Sequence, residues 1–577
     1  MLKLVKRNIR QYTGPMLIAI VTLFLQTMTD LYLPTLNADI TNNGMAKGDM
    51  EYIIRTGSVM LLIVGIGVVC MIVSSYFSSA AAMGLGKNIR EELFCHVETL
   101  SKGDIDEIGT ASLITRATND VMQVQNAAMM MLRMMLMAPI MCIGGIIMAR
   151  RKSPDLSWVI ICALPFIAAL LIYMLYRGLP LFKSIQKKID RVNQVVREYL
   201  SGIRVIRAFC KDDYEKKRFQ EANTDLMQVS LKVFRMISFM MPAMMLIVNA
   251  TNIAIVWIGG KYMVAGKLQV GDLTAFITYV ALILMSIMMM SMLFIMLPRA
   301  SASADRINEV LNKKPAVSDK EKVQVQHGHT RGSLVFENVT FSYPGAESPV
   351  LTNISFETRP GEVTAIIGGT GSGKSTLINL IPRFYDVTSG SVKIDGVDVR
   401  SLGQEELRKK IGLVPQRAFL FSGTIEENVK MGRENATEEE VLRALEIAQA
   451  AEFVNEKEEK EQTIVTQGGT NVSGGQRQRL AIARAIVRRP EIYIFDDSFS
   501  ALDYKTDAAL RKALYKVIED STVLIIAHRV STIMNADRIL VLDDGELVGI
   551  GTHKELLESC KVYQEIVYSQ HNESEAG

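Results

Sequence analysis

Six long apolar runs crowd the first half of this chain and restrict its architecture more than any other feature. They cover about 15–36, 57–82, 126–149, 156–178, 236–258 and 272–297. Each approaches or exceeds the roughly 20 residues that an α-helix needs to cross a bilayer core. In hydrocarbon every backbone N–H and C=O must be paired within the protein, so runs of this length read as six spanning helices. The segments between the second and third runs (about 83–123) and between the fourth and fifth (about 179–235) are long, charged and helical in pattern. They are too long to be turns and are expected to project from the membrane.

Lys3, Lys6, Arg7 and Arg10 precede the first run, which ends in Leu31-Tyr32-Leu33-Pro34 without a small-residue cleavage pattern. A retained span is therefore expected rather than a signal peptide. The basic residues place the N-terminus in the cytoplasm, and six crossings return the chain there. Arg150-Arg151-Lys152, between the third and fourth runs, departs from this positive-inside tendency. Cys70, Cys95, Cys142, Cys162, Cys210 and Cys560 fall in spans or cytoplasmic segments, so no disulfide framework is expected. The net charge of +3 is small for 577 residues and its basic residues are scattered among acidic ones. No nucleic-acid partner is expected.

The second half changes character. Ala300 to Lys314 continues the sixth run as a polar helix, 315–332 reads as a polar linker, and a soluble domain begins near Ser333. The predicted division is 1–314, 315–332 and 333–577. Within the soluble part, Gly368-Gly369-Thr370-Gly371-Ser372-Gly373-Lys374-Ser375 fits G-x-x-x-x-G-K-[ST]. In such a loop glycines let backbone N–H groups close around phosphates, the lysine reaches the terminal phosphates and the hydroxyl binds Mg²⁺. The flanks support this reading. Val363-Thr364-Ala365-Ile366-Ile367 is a buried-strand pattern, and Ser375 to Ile381 continues with helical spacing. Ile492-Tyr493-Ile494-Phe495 is a second buried strand, and it delivers Asp496 and Asp497 at its carboxyl end, where open α/β sheets bind ligands.

The ordered set is more specific than any member. Six spans and a linker are followed by Tyr343, the phosphate loop, Val414-Pro415-Gln416 and Val472-Ser473-Gly474-Gly475-Gln476. Asp496 at a strand end, Ser500-Ala501-Leu502-Asp503 and Ala527-His528-Arg529 complete it. The chain resembles an ABC exporter half-transporter over nearly its whole length. The resemblance implies an α-helical polytopic membrane domain with long intracellular helices, followed by an α/β P-loop ATP-binding cassette domain. It implies ATP and Mg²⁺ as cofactors, and a plasma-membrane protein whose ATP-binding domain is cytoplasmic.

It also implies residue roles. Tyr343 stacks on adenine, or else packs as a strand aromatic. Lys374 contacts the β/γ-phosphates, Thr376 supplies a further donor, and Ser375, Gln416 and Asp496 serve the Mg²⁺. His528 contacts the γ-phosphate and orients the attack, and Gln416 also touches water and moves with the membrane domain. Ser473, Gly474, Gly475 and Gln476 face the phosphate loop of an opposite domain, and Asp503 crosses the dimer seam, so a second half-transporter is required. Ser201 to Phe209 and Asp104 to Thr110 resemble the intracellular loops that hold coupling helices.

Two positions depart from the family pattern. Asp497 stands where a catalytic glutamate is usual, one methylene shorter, and Gln467 stands where a glutamate is common before the signature. Misplacing a catalytic group by about 1 Å can cost roughly a hundredfold, so the chain resembles the degenerate-site subunit of a bacterial heterodimeric multidrug-type exporter. Its partner would then carry the glutamate. Methionine clusters such as Met129-Met130-Met131 and Met288-Met289-Met290 read either as a flexible lining for apolar substrates or as bilayer-compatible packing. Asp30 and Gln26, and Asn249 and Asn252, are polar pairs within spans. Drug, peptide and lipid substrates all remain open, with a lipid flippase or a gating ATPase as alternatives.

Overall fold

The computed structural model describes residues 2–319, 331–516 and 520–575, so 320–330 of the expected linker lie outside the described residues. The chain divides into two compact units, one of Met1–Val97 with Ala111–Lys313 and one of Glu98–Thr110 with Lys314–Gly577.

Among the described residues six helices are long and apolar enough to cross a membrane: Thr13–Met45, Met50–Thr99, Thr110–Lys152, Pro154–Ser201, Asp212–Val264 and Val270–Met290. Several extend well past the apolar runs. Helix Met50–Thr99 has 50 residues, because its charged continuation holds neither Gly nor Pro after Gly86 and the backbone has no reason to break. Outward faces carry large apolar residues such as Leu61, Leu62, Val69 and Trp257, which suits lipid contact. Inner faces use small residues for close approach. A Cβ on Gly145 would lie 2.8 Å from Ile283 Cγ1, and one on Gly144 would lie 2.4 Å from Leu31 Cδ1.

Polar contacts tie the first, third and sixth spans together. The Tyr279 hydroxyl donates to the Leu31 carbonyl at 2.9 Å and meets Thr35 Oγ1 at 2.6 Å. Lys152 pairs with Asp272 at 2.9 Å and Asp39 at 3.5 Å, so one charge of the exceptional basic loop is locally compensated. Among the other polar positions, Asn249 is exposed and Asn252 buries an Oδ1 without a hydrogen-bond partner. The methionines divide as well, with Met244 buried and Met241 and Met245 exposed.

Among the described residues the second unit contains twelve strands. The first six are β1 (Leu334–Phe341), β2 (Leu351–Thr358), β3 (Val363–Gly368), β4 (Ser389–Ile394), β5 (Val397–Asp398) and β6 (Ile411–Val414). The others are β7 (Gly423–Thr424), β8 (Ile464–Val465), β9 (Ile492–Asp496), β10 (Thr522–Ile526), β11 (Arg538–Asp543) and β12 (Glu546–Gly551). The sheet orders are β2-β1-β4-β5, β12-β11-β3-β10-β9-β6 and β7-β8. In the six-stranded sheet β11, β3, β10, β9 and β6 run parallel. Such strands are covered on both faces and read as continuous apolar runs, and β3 and β10 are buried at every residue.

The short helix Lys102–Ile108 belongs to this unit rather than to the spans around it. Ser101 caps it in a reciprocal capping box with Asp104. Asp104 also accepts from the Ala316 amide at 3.0 Å. The helix in the segment expected to hold the first coupling helix therefore starts ahead of Asp104 and ends before Thr110, at Gly109, whose φ of 82° suits glycine.

Candidate nucleotide site

Because β3, β6, β9 and β10 are parallel neighbours, their carboxyl ends open on one edge of the sheet. The phosphate loop follows β3, Gln416 follows β6, Asp496 and Asp497 end β9, and His528 follows β10. Topology alone thus gathers residues separated by up to 160 positions in sequence, consistent with the general placement of ligands at the carboxyl ends of such sheets.

The loop is built for close backbone approach. Gly371 and Gly373 have φ of 87° and 94°. A Cβ on Gly368 would fall 2.1 Å from the Leu542 carbonyl oxygen. Gly369, Thr370 and Gly371 are exposed, whereas Ser372 and Lys374 are buried. The Lys374 ammonium donates to the carbonyls of Gly368 at 2.9 Å and Gly369 at 2.7 Å, and to Ser372 Oγ at 3.4 Å. Burial lowers its pKa, although Asp496 and Asp497 favour the charge. Among the described residues no carboxylate lies within salt-bridge distance of this ammonium. A buried cation whose direct partners are neutral acceptors, beside a glycine loop that a Cβ would fill, fits the phosphates of a nucleotide.

Ser375 opens to solvent and Thr376 is buried, its Oγ1 lying 3.1 Å from the Tyr343 hydroxyl. Tyr343 packs edge-on against Phe341 and Tyr385 at centroid distances of 5.0 and 5.3 Å. It is therefore held next to the phosphate-loop helix while remaining part of an aromatic cluster.

Burial raises the pKa of Asp496, and the neighbouring Asp497 adds to the effect, while His528, Lys374 and Lys102 oppose it. Asp497 sits in the left-handed region with φ 46°. Its amide donates to the Ile526 carbonyl at 2.9 Å. Its Oδ2 accepts from Ser500 Oγ at 3.1 Å and from Gln416 Nε2 at 3.4 Å. Gln416 and His528 are both exposed at this edge.

The signature lies apart from these groups. Ser473 caps helix Gly474–Arg488, its Oγ accepting from the Gln476 amide at 3.2 Å while Gln476 Oε1 accepts from the Ser473 amide at 3.0 Å. A Cβ on Gly475 would meet the Ala501 carbonyl oxygen at 3.1 Å, which brings the signature next to the segment leading to Asp503. Asp503 caps helix Tyr504–Tyr515 by accepting from the Thr506 amide at 3.0 Å. Ser473, Gly474 and Asp503 are exposed. Among the described residues no hydrogen bond joins Ser473 to Gln476 with the phosphate loop. Gln467 is exposed in a short turn whose next residue, Gly468, donates to the Leu420 carbonyl at 3.0 Å.

Three further residues support the site without having been assigned a role in it from the motifs. Lys102 acts on Asp496 from a segment far away in sequence. Buried Gln478 donates to the Pro415 carbonyl at 3.2 Å, linking the signature helix to the segment before Gln416. Ser500 holds Asp497. Only Ser500 carried a sequence signal, as the first residue of Ser500-Ala501-Leu502-Asp503.

A family model described as the ABC transporter transmembrane region matches residues 16–288, and one described as ABC transporter matches residues 351–500. An uncharacterized ABC transporter ATP-binding protein of Mycobacterium tuberculosis is 44% identical over 99% of this chain and 98% of its own length. One of Bacillus subtilis is 38% identical over 96% of each chain. An ATP-dependent lipid A-core flippase of Nitrosococcus oceani is 30% identical over 96% of this chain and 93% of its own. The chain belongs to the ABC transporters and is an exporter-type half-transporter, one membrane region fused to one ATP-binding region. It is a multi-pass membrane protein whose second unit is the ATPase domain coupled to transport.

Proposed function

We propose that this chain is one subunit of a heterodimeric exporter in the plasma membrane, with residues 1–314 as its membrane domain and 333–577 as its cytoplasmic ATP-binding domain. Asp497 beside Asp496 carries the reading. An aspartate occupies the position from which attacking water would be oriented, and its short carboxylate is drawn to Ser500.

In this reading Lys374 holds the terminal phosphates, Ser375, Gln416 and Asp496 hold Mg²⁺, and Tyr343 lies against the adenine. When bound, MgATP supplies the phosphoanhydride whose hydrolysis drives the cycle. His528 contacts the γ-phosphate side, and Asp497 is the weak orienting base. Ser473 to Gln476, of which Ser473 and Gly474 are exposed, face the partner's phosphate loop, and Asp503 lies at the seam. Domain closure biases two arrangements of the spans, which is the usual way that ligand binding drives a hinge-type transition.

Asp497→Glu should raise single-turnover hydrolysis at this chain's own site by about 10²-fold, since a well-placed base contributes about 10²–10⁴. The measurement is made in the two-chain complex with the partner's phosphate-loop lysine replaced. Rapid hydrolysis with Asp497 unchanged would remove the degenerate-site reading. The flippase relative favours lipid as a second reading of the cargo; translocation of labelled lipid in proteoliposomes separates it from export of soluble compounds.

A further inference from the structure

The last described helix, Lys561–Glu575, reaches the loop that carries His528. Its inward face is set by spacing. Tyr563, Val567 and Gln570 fall at i, i+4 and i+7, which places them on one side of a helix. Tyr563 and Val567 are buried in the same core as Ala527, Val530 and Ile533. The Tyr563 hydroxyl lies 2.7 Å from His553 Nδ1, fixing the helix to the one before it. One turn beyond Val567, Gln570 makes two hydrogen bonds to the backbone around His528. Its Nε2 donates to the His528 carbonyl at 2.7 Å, and its Oε1 accepts from the Val530 amide at 2.8 Å.

The two bonds use both ends of one amide, so they set position and orientation together. The other side of the loop is held by the sheet, where the Ala527 amide donates to the Ile366 carbonyl at 3.3 Å at the end of β3. His528 itself is exposed. It is thus a free side chain on a backbone pinned from both directions, by the strand bearing the phosphate loop and by the C-terminal helix.

We propose that Gln570 is the positioning residue for His528, and that the C-terminal helix thereby sets how well this site distinguishes ATP from ADP. The inference rests on the reading of His528 as a γ-phosphate contact. A contact made only to the terminal phosphate adds affinity for ATP and none for ADP. Tilting the backbone at His528 therefore changes the ratio of the two affinities and leaves ADP binding alone. Glutamine is specifically suited to this task. Glutamate has the same shape and still accepts from Val530, but it turns the bond to the His528 carbonyl into a contact between two acceptors.

The test is displacement of a fluorescent ATP analogue by ATP and by ADP from the purified full chain in nanodiscs, without Mg²⁺ so that nothing is hydrolysed. His528→Ala should lower the ATP-over-ADP preference about tenfold, the scale of one hydrogen bond to a charged group. Gln570→Glu should lower it roughly three- to tenfold on the same scale, with ADP affinity unchanged. Gln570→Met, which keeps packing volume and removes both bonds without adding charge, should do the same. In a His528→Ala background neither change should have a further effect, since a residue acting through His528 has nothing left to act on. The proposal is overturned if the Gln570 variants leave the ratio at the wild-type value while His528→Ala lowers it. It is equally overturned if they weaken ADP and ATP together, or if they lower the ratio further in the absence of His528. If His528→Ala itself leaves the ratio unchanged, the γ-phosphate reading of His528 falls, and the role of Gln570 falls with it.

Discussion

Lys374→Ala should weaken ATP binding at this chain's own site by roughly ten- to a hundredfold, the range for losing hydrogen bonds to a charged group. The ammonium is buried, and its bonds in the structure go to loop carbonyls and Ser372. These direct partners are neutral acceptors, and Asp496 and Asp497 favour the charge only from beyond salt-bridge distance, so a phosphate gains more from it than from an exposed lysine. The same burial gives the interaction a pH signature. Because burial lowers the Lys374 pKa below that of an ordinary lysine, the free site loses its charge at a lower pH. ATP affinity should therefore start to fall at a lower pH than it would with an ordinary lysine. Binding of an anion restores the charge, so proton uptake should accompany ATP binding over that pH range. Calorimetry in two buffers of different ionisation enthalpy measures this uptake. An unchanged affinity in Lys374→Ala would remove Lys374 from the phosphate site.

Ser473→Asp should lower the ATPase of the two-chain complex by about 10²–10³, the scale seen when a preorganised donor to a developing anion is lost. Aspartate is as good a helix cap as serine, so helix Gly474–Arg488 keeps its start and the variant should fold. What changes is the sign of charge presented to a phosphate. Ser473→Arg should also inhibit, but it removes the capping box and costs on the order of 1 kcal/mol of helix stability, which makes it the less informative variant. If the signature serves the partner's productive site, both changes should suppress turnover more than Asp497→Asn does. Equal or greater loss from Asp497→Asn would instead identify a homodimer that uses aspartate as its working base.

Much of the nucleotide site was legible because its elements announce themselves locally. Val363 to Ile367 is continuous and apolar because β3 is covered on both faces, and the glycines after it mark where the backbone must turn into a helix. Ser473 and Gln476 have the spacing of a capping box, which the structure forms. The spans were legible in number but short in extent, because hydropathy marks only the lipid-embedded part of a helix that continues into water. Tertiary contributions left no such trace. Nothing around Lys102 or Gln570 distinguishes either from an ordinary surface residue, since their partners lie 394 and 42 positions away and are brought close only by the fold. The assignment of Lys102–Ile108 to the C-terminal unit was hidden for the same reason.

The left-handed turn at Asp497 sets rate against durability. Most residues with a Cβ resist a φ of 46°, and aspartate tolerates it because its short side chain can bond locally, here with Ser500. A glutamate at this position reaches further toward water but gives up that local bond, at a cost of up to about 1 kcal/mol. Asp497→Glu should then melt earlier in a thermal scan even as it hydrolyses faster. On the proposed reading, the turn that slows hydrolysis at this site is also the one that holds the end of its strand most firmly.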